Sequence, residues 1–181
     1  GIGAKPGAGH CACAAGARGN GIPAAVSTQK HIYIYSPSSA IRDKAAFRRG
    51  VARLKALGHE VEIGGAALSV HQRPGADDAR GLAARARAAA GGADIALIAR
   101  GGYGLTRILD AVPYKAVAKA IDRGCEFVGL SDFTALQNAL LAKTGAVSWA
   151  GPAVGEDFGG EGGPGGIMEA SFGDLLGGGG G

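Results

Sequence analysis

The sequence has little of what marks several large classes of protein. Only 6% of its 181 residues are aromatic and 19% are charged, and it contains three Cys, one Met and one Trp. Three cysteines supply no disulfide framework, and no apolar run approaches the roughly 20 residues that a transmembrane helix requires. Cys11 and Cys13 lack further ligand residues nearby. We therefore expect a reduced, cytoplasmic protein with no membrane partner and no metal.

The charge balance is mild as well. Lys and Arg number 19 against 15 Asp and Glu, for a formal net charge of +4. Much of the basic excess falls in one predicted helix, at Arg42, Lys44, Arg48, Arg49, Arg53 and Lys55. Aromatic residues for base stacking do not alternate with these positions. We interpret them as a solvated helix face and predict no nucleic-acid partner.

Glycine is abundant, and its distribution divides the chain. Of 35 glycines, seven fall in residues 1–30 and fourteen in residues 151–181. The predicted organisation is a Gly/Ala-rich N-terminal segment over 1–30, one folded domain over 31–152, and a Gly-rich linker or incomplete C-terminal region over 153–181.

Between these ends, short apolar runs alternate with longer helical patterns. Strands are predicted at 32–35, 60–63, 94–99, 126–130 and 147–150, and helices at about 41–57 with a stop at Gly58, at 77–90, after Pro113, and from 133 to a stop at Gly145. The strands are nearly continuously apolar, which is typical of a parallel sheet covered on both faces. The pattern predicts a doubly wound α/β domain with helices on both faces of a mostly parallel sheet.

Polar groups follow three of the predicted strands. They are Ser36-Pro37-Ser38-Ser39, Arg100-Gly101-Gly102-Tyr103-Gly104 and Ser131-Asp132-Phe133-Thr134. Ligands bind open parallel sheets at the carboxyl ends of the strands, so the three groups are expected to share one edge.

Ser131 stands at a predicted strand-to-helix turn. Such a turn projects a serine hydroxyl above the sheet, and the N–H of Asp132 would lie at the helix N-terminus, ready to stabilise an oxyanion. Phe133 occupies the last glycine position of the Gly-x-Ser-x-Gly pattern. An alternative is that Ser131 or Asp132 only caps the helix.

The glycine-rich turn at 100–104 also has two interpretations. Its N–H groups could bind phosphate, or one of them could join an oxyanion hole facing Ser131 and leave Arg100 or Tyr103 to contact substrate. The Gly-x-Gly-x-x-Gly pattern fails, and the Lys-Ser/Thr ending of a phosphate-binding loop is absent. Nucleotide binding is therefore unsupported.

A serine nucleophile needs a base, and the sequence offers no convincing one. The histidines are His10, His31, His59 and His71, of which only His71 follows a strand and could approach the carboxyl edge. A loop histidine of this kind is more often simply exposed.

The motifs taken in order resemble a known family. SPSS, RGGYG, GLSDFTAL, ALLAKTG and AGPAVGEDFG follow one another over residues 31–159 as in the LD-carboxypeptidase family, serine peptidases that include murein tetrapeptide carboxypeptidase and the microcin-immunity hydrolase. RGGYG with GxSDFT at this separation is much more specific than either motif alone.

The resemblance implies a flavodoxin-like or Rossmann-like N-terminal domain that carries the nucleophile, and a C-terminal domain that supplies a Glu and a His to complete the triad. It makes Ser131 the nucleophile, with the N–H groups of Asp132 and Gly102 as oxyanion donors. The implied substrate-binding residues are Arg100, Gly101, Tyr103, Ser36 and Ser38.

The implied reaction releases the terminal D-alanine from the murein tetrapeptide during cell-wall recycling. It needs no cofactor, and homodimers are usual in the family. After Gly159 nothing resembles the second domain. Glu156, just before this point, and Glu161 and Glu169, beyond it, match no catalytic Glu, and no His follows His71. We expect a hydrolase whose 181-residue chain alone is inactive. A non-catalytic peptide- or peptidoglycan-binding module and a phosphate- or nucleotide-binding domain remain alternatives.

Overall fold

The computed structural model describes residues 29–38, 40–65, 67 and 92–177. Within them, five strands form one sheet: β1 (His31–Tyr35), β2 (Glu60–Ile63), β3 (Ile95–Ile98), β4 (Glu126–Gly129) and β5 (Trp149–Ala150). Every pairing is parallel, in the order β2-β1-β3-β4-β5. This confirms the doubly wound α/β prediction and gives the strand order of flavodoxin-like folds.

The helices connect and cover these strands. They are α1 (Lys44–Ala56), a 3-10 helix (Leu105–Ala111), α2 (Tyr114–Ile121), α3 (Phe133–Thr144), a π-helix (Val154–Phe158) and α4 (Gly166–Leu176). The helix predicted over 77–90 lies outside the described residues, and the 3-10 helix was not predicted. No helix in the described ranges is long and apolar enough to cross a membrane.

Two apolar clusters cover the two faces of the sheet. In β1, Tyr33 and Tyr35 belong to the cluster under α2 and α3, whereas Ile32 and Ile34 belong to the cluster under α1, the π-helix and α4. Burial on both faces explains why β1, β3 and β4 are largely apolar, whereas the edge strand β2 alternates Glu with apolar residues and is mostly exposed.

Helix ends follow the sequence signals closely. The carboxylate of Asp43 accepts the N–H of Ala46 at 2.8 Å and caps the start of α1. Gly58 (φ +93°) and Gly145 (φ +75°) follow α1 and α3 in the left-handed region, where glycine avoids the steric cost of a Cβ. The predicted glycine stops at these two positions are confirmed.

The segment after residue 152 differs from the linker prediction. Phe158 and Phe172, from the π-helix and α4, are buried and meet edge to face with ring centroids 5.2 Å apart. The π-helix lies so close to α1 that a Cβ added to Gly50 would stand 2.1 Å from the carbonyl oxygen of Val154. Up to Leu176, therefore, this segment is part of the packed domain despite its glycine content.

The basic face of α1 also differs in part from its interpretation as a solvated surface. Arg49 donates to the carbonyl of Gly159, and Arg53 donates to the carbonyls of Phe158, Gly160 and Glu161. A guanidinium presents several donors in a fixed plane, so it can satisfy carbonyls that a helix end leaves unpaired. The hydrogen bonds of these two arginines hold the C-terminal segment against α1.

Candidate active site

The three predicted groups meet at the carboxyl edge of the sheet. β1 and β3 are neighbours although β2 lies between them in the sequence, so the strand order reverses at this point. Crevices at such reversals are the usual ligand sites of open α/β sheets. The loops after β1 and β3 flank this crevice, and the turn after β4 lies beside it.

Ser131 has a strained backbone. Its φ is +62°, and it is the one non-glycine residue with positive φ in the part of the chain that the structure describes. This conformation costs an ordinary L-residue roughly 1–2 kcal/mol. Ser131 is exposed and stands between β4 and α3. Strand, left-handed serine and helix together have the geometry of a nucleophile elbow.

The departure from Gly-x-Ser-x-Gly has a structural reason. A Cβ added to Gly129 would lie 2.5 Å from Cγ of Phe133, so the phenyl ring packs directly over this glycine. Phe133 is fully buried in the cluster under α2 and α3. The aromatic ring therefore anchors the turn at the position where the usual pattern has a second glycine.

The side chain of Asp132 joins the three loops. One carboxylate oxygen, Oδ1, accepts the hydroxyl of Ser38 at 2.8 Å and the N–H of Gly102 at 3.1 Å, and Oδ2 accepts the N–H of Leu105 at 3.2 Å. Asp132 makes no side-chain capping bond to α3. Its carboxylate is thus a long-range clamp between strand ends, which excludes the capping interpretation for this residue.

Removing this clamp has a measurable consequence. In Asp132→Ala, we expect amide hydrogen exchange at Gly102 and Leu105 to accelerate by about tenfold or more, because each N–H loses a charged acceptor. Exchange at Leu97, in the middle of β3, is expected to stay unchanged. Two-dimensional NMR of the exchanging amides gives all three rates.

The matched control is Asp43→Ala. That carboxylate also accepts a backbone N–H, but the donor belongs to its own helix, so the variant removes a similar bond without touching the three loops. Acceleration at Gly102 and Leu105 in both variants would show general loosening and would contradict the clamp.

The glycine-rich turn lies against the candidate nucleophile, Ser131. A Cβ added to Gly101 would stand 2.8 Å from Cβ and 3.3 Å from Oγ of Ser131. The N–H of Gly101 donates to Glu156 Oε2 at 3.3 Å. The N–H of Gly102, predicted as an oxyanion donor, instead donates to Asp132. The Gly102 prediction therefore differs from the structure, and Gly101 is the turn residue next to Ser131.

The remaining predicted substrate-binding residues separate into two groups. Ser36 is buried with 1% exposure, and its hydroxyl is directed to the carbonyl of Ala67, so burial withholds it from a ligand. Ser38 is engaged by Asp132. Tyr103 is 72% exposed beside Arg107, and Arg100 pairs with Glu156 at 3.8 Å. Arg100 and Tyr103 thus remain at the accessible edge, whereas Gly101 is buried beside Ser131.

No described histidine lies at this edge. His31 opens β1 and contacts Glu62, whereas His59 precedes β2; both positions are at the amino end of the sheet. Burial, with a smaller effect of Lys30, lowers the pKa of His59 below its ordinary value of 6.5. His10 and His71 lie outside the described residues. The described ranges therefore contain a candidate nucleophile without a histidine base beside it.

Cys125 is not a rival nucleophile. It is buried before β4, and burial, with smaller effects of Glu126 and Asp94, raises the pKa of its thiol to about 12. The thiolate is the reactive form, so Cys125 stays unreactive near neutral pH. No group of three or more His, Cys, Asp or Glu residues that could hold a metal ion occurs in the described ranges.

Two features of the site were not predicted from the sequence. Glu156 reaches the edge from the π-helix, which lay in the predicted linker. The carboxylate of Asp132 contacts Gly102 and Ser38, which lie 30 and 94 positions before it in the sequence. The AGPAVGEDFG motif was the available signal for Glu156. No local pattern distinguishes a clamping aspartate from a capping one.

This combination of a parallel sheet and an elbow serine at its carboxyl edge is that of an α/β serine hydrolase. The sequence profile of the LD-carboxypeptidase N-terminal domain matches residues 32–151. The chain belongs to the LD-carboxypeptidase family.

Two solved structures that are similar to this chain support the family assignment. The muramoyltetrapeptide carboxypeptidase from Oxalobacter formigenes is 29% identical, with a TM-score of 0.66 over 81% of this chain and 47% of that chain. An MccF-like protein from Bacillus anthracis is 27% identical, with a TM-score of 0.71 over 82% of this chain and 44% of that chain.

A Streptomyces coelicolor protein assigned as a carboxypeptidase is 44% identical over 66 residues, which are 36% of this chain and 21% of that protein. The chain thus spans less than half the length of these relatives.

Proposed function

We propose that this chain is the nucleophile-bearing domain of a serine carboxypeptidase that releases terminal D-alanine from the murein tetrapeptide. The observation that carries the proposal is Ser131, an exposed serine held at φ +62° between β4 and α3. The family match and the similarity to a muramoyltetrapeptide carboxypeptidase support the substrate class.

Each residue at the edge has a role in this proposal. The hydroxyl of Ser131 attacks the carbonyl carbon of the bond before D-alanine. The N–H of Asp132 and the N–H of Gly101 beside it stabilise the oxyanion that forms. Gly101 replaces Gly102 in this role because Gly101 lies against Ser131. The Gly101 N–H donates to the half-exposed carboxylate of Glu156, which a substrate can displace, whereas the Gly102 N–H donates to the clamping carboxylate of Asp132. A Glu and a His from the family's C-terminal domain would move the proton, as the resemblance implies.

Comparing this chain with the complete gene product tests the proposal. Both are incubated with muramoyl tetrapeptide, and D-alanine is measured with a coupled D-amino-acid oxidase. We expect release by the complete product and none at ordinary enzyme rates by the 181-residue chain, since loss of a triad base typically costs several orders of magnitude. Release by the chain alone that Ser131→Ala abolishes would disprove its inactivity.

The competing function is a peptide-binding module that uses the same edge without cleavage. It predicts that the complete product and its Ser131→Ala variant bind the tetrapeptide equally and that neither releases D-alanine. Calorimetric titration beside the release assay separates the two functions. Turnover that depends on Ser131 would exclude the binding module.

A further inference from the structure

The carboxylate of Glu156 occupies a position that suits a ligand. Its Oε2 accepts the N–H of Gly101 at 3.3 Å, and its Oε1 lies 3.8 Å from Nε of Arg100. The two oxygens of one carboxylate therefore face two different donors, a backbone N–H and a guanidinium. This pair of donors is suited to a planar anion with two oxygens, and a carboxylate is the simplest such group.

The two contacts of the Glu156 carboxylate are long, and its side chain is partly exposed. Charge-assisted N–H···O bonds in proteins are commonly about 2.7–2.9 Å long, and both distances here are greater. The Glu156 side chain is 45% exposed, so it can move into solvent. Exposed ion pairs contribute little to stability, and such a contact is easily exchanged for another anion.

The location of these two donors also suits the terminal carboxylate of a peptide. Gly101 lies against Ser131, and a cavity of about 160 Å³ opens at Arg100 and Glu156, with Arg42 and Asp43 also in its lining. In a carboxypeptidase, the free carboxylate lies one residue beyond the carbonyl that the nucleophile attacks. A carboxylate held by the Gly101 N–H would therefore lie beside the turn that carries Ser131.

We propose that Arg100 and the Gly101 N–H form a subsite for the terminal carboxylate of a peptide, which Glu156 occupies until the ligand displaces it. The ligand's identity as a peptide terminus rests on the peptidase function proposed above. On binding, the incoming carboxylate accepts the two donors and Glu156 turns into solvent, so the number of charges at the subsite is conserved. When an acyl peptide is attacked, Arg100 keeps the carboxylate and the Gly101 N–H turns to the developing oxyanion.

The test measures binding of N-acetyl-D-alanine to the 181-residue chain by calorimetry, with N-acetyl-D-alanine amide as the neutral comparison. Glu156→Gln is expected to tighten binding of the acid by about two- to fivefold, because the internal competitor loses its charge. Binding of the amide is expected to stay unchanged. Arg100→Gln is expected to weaken binding of the acid.

The control is Glu161→Gln. Glu161 belongs to the same segment and is exposed, and its contact with Arg53 uses the backbone carbonyl, so the substitution removes a nearby negative charge without breaking that contact. A gain in affinity is the informative sign, because simple damage to the fold lowers affinity. Unchanged or weaker binding of the acid in Glu156→Gln, or no binding to any form, would overturn the subsite.

Two further outcomes separate this proposal from the proposed function. Binding of inorganic phosphate as tight as that of N-acetyl-D-alanine would contradict a carboxylate subsite. If Glu156→Gln and Arg100→Gln change the affinity for N-acetyl-D-alanine as expected but the complete gene product releases no D-alanine, the subsite is retained and the peptidase function is rejected. D-alanine release with no effect of Glu156→Gln on affinity would retain the peptidase and reject the subsite.

Discussion

Replacing Ser131 by alanine is expected to lower D-alanine release by the complete gene product by at least about 10³-fold, since the reaction loses its nucleophile and retains only oxyanion stabilisation and binding. The turnover number for muramoyl tetrapeptide, measured by coupled detection of D-alanine, gives the effect. A decrease of less than tenfold would show that another group performs the attack.

Ser131→Gly separates the chemistry from the backbone strain. Both variants lack the hydroxyl, but only glycine adopts φ +62° without a steric cost. We expect Ser131→Gly to be more stable than Ser131→Ala by about 1 kcal/mol, although both are inactive. Urea unfolding of the two variants measures the difference, and equal stability would contradict the left-handed conformation at this residue.

Replacing Phe158 by alanine is expected to lower the free energy of unfolding by about 3–5 kcal/mol. The ring is fully buried in the cluster under α1 and stands edge to face with Phe172. Its loss leaves a cavity between the π-helix and α1, and Gly50 already brings these helices so close that little further collapse is available. Urea or thermal unfolding followed by circular dichroism measures the loss.

Ile167→Ala is the matched control for Phe158. It removes a large apolar side chain from the same C-terminal segment, but Ile167 is 87% exposed, so its effect is expected within about 0.5 kcal/mol. If the segment were a linker, as its composition predicts, both substitutions would be nearly neutral. A small effect of Phe158→Ala on stability would therefore support the linker prediction.

The sheet could be predicted because its strands are short apolar runs bounded by recognisable helix signals. Gly58 and Gly145 act locally, so the sequence around them is sufficient to predict where α1 and α3 end. The C-terminal segment was missed for the opposite reason. Its buried Phe158 and Phe172 are widely spaced among glycines, and only packing against α1 reveals their common face.

In the site, too, the features encoded locally were predicted and those that depend on distant contacts were not. The turn at Ser131 is encoded by a local strand–turn–helix pattern, and so it was predicted. Gly102 was assigned to the oxyanion hole because glycine-rich turns offer N–H groups, but sequence does not show which N–H is already engaged. That depends on the carboxylate of Asp132, which reaches it across 30 positions in the chain.

The left-handed backbone at Ser131 also bears on how such a domain can change over generations. Serine codons of the AGC type are one base away from codons for glycine and asparagine, the residues that tolerate positive φ best. Loss of the nucleophile by these routes would relieve strain while leaving Arg100 and Tyr103 in place. A variant of this fold that has lost the Ser131 hydroxyl in this way therefore needs no compensating change in the core.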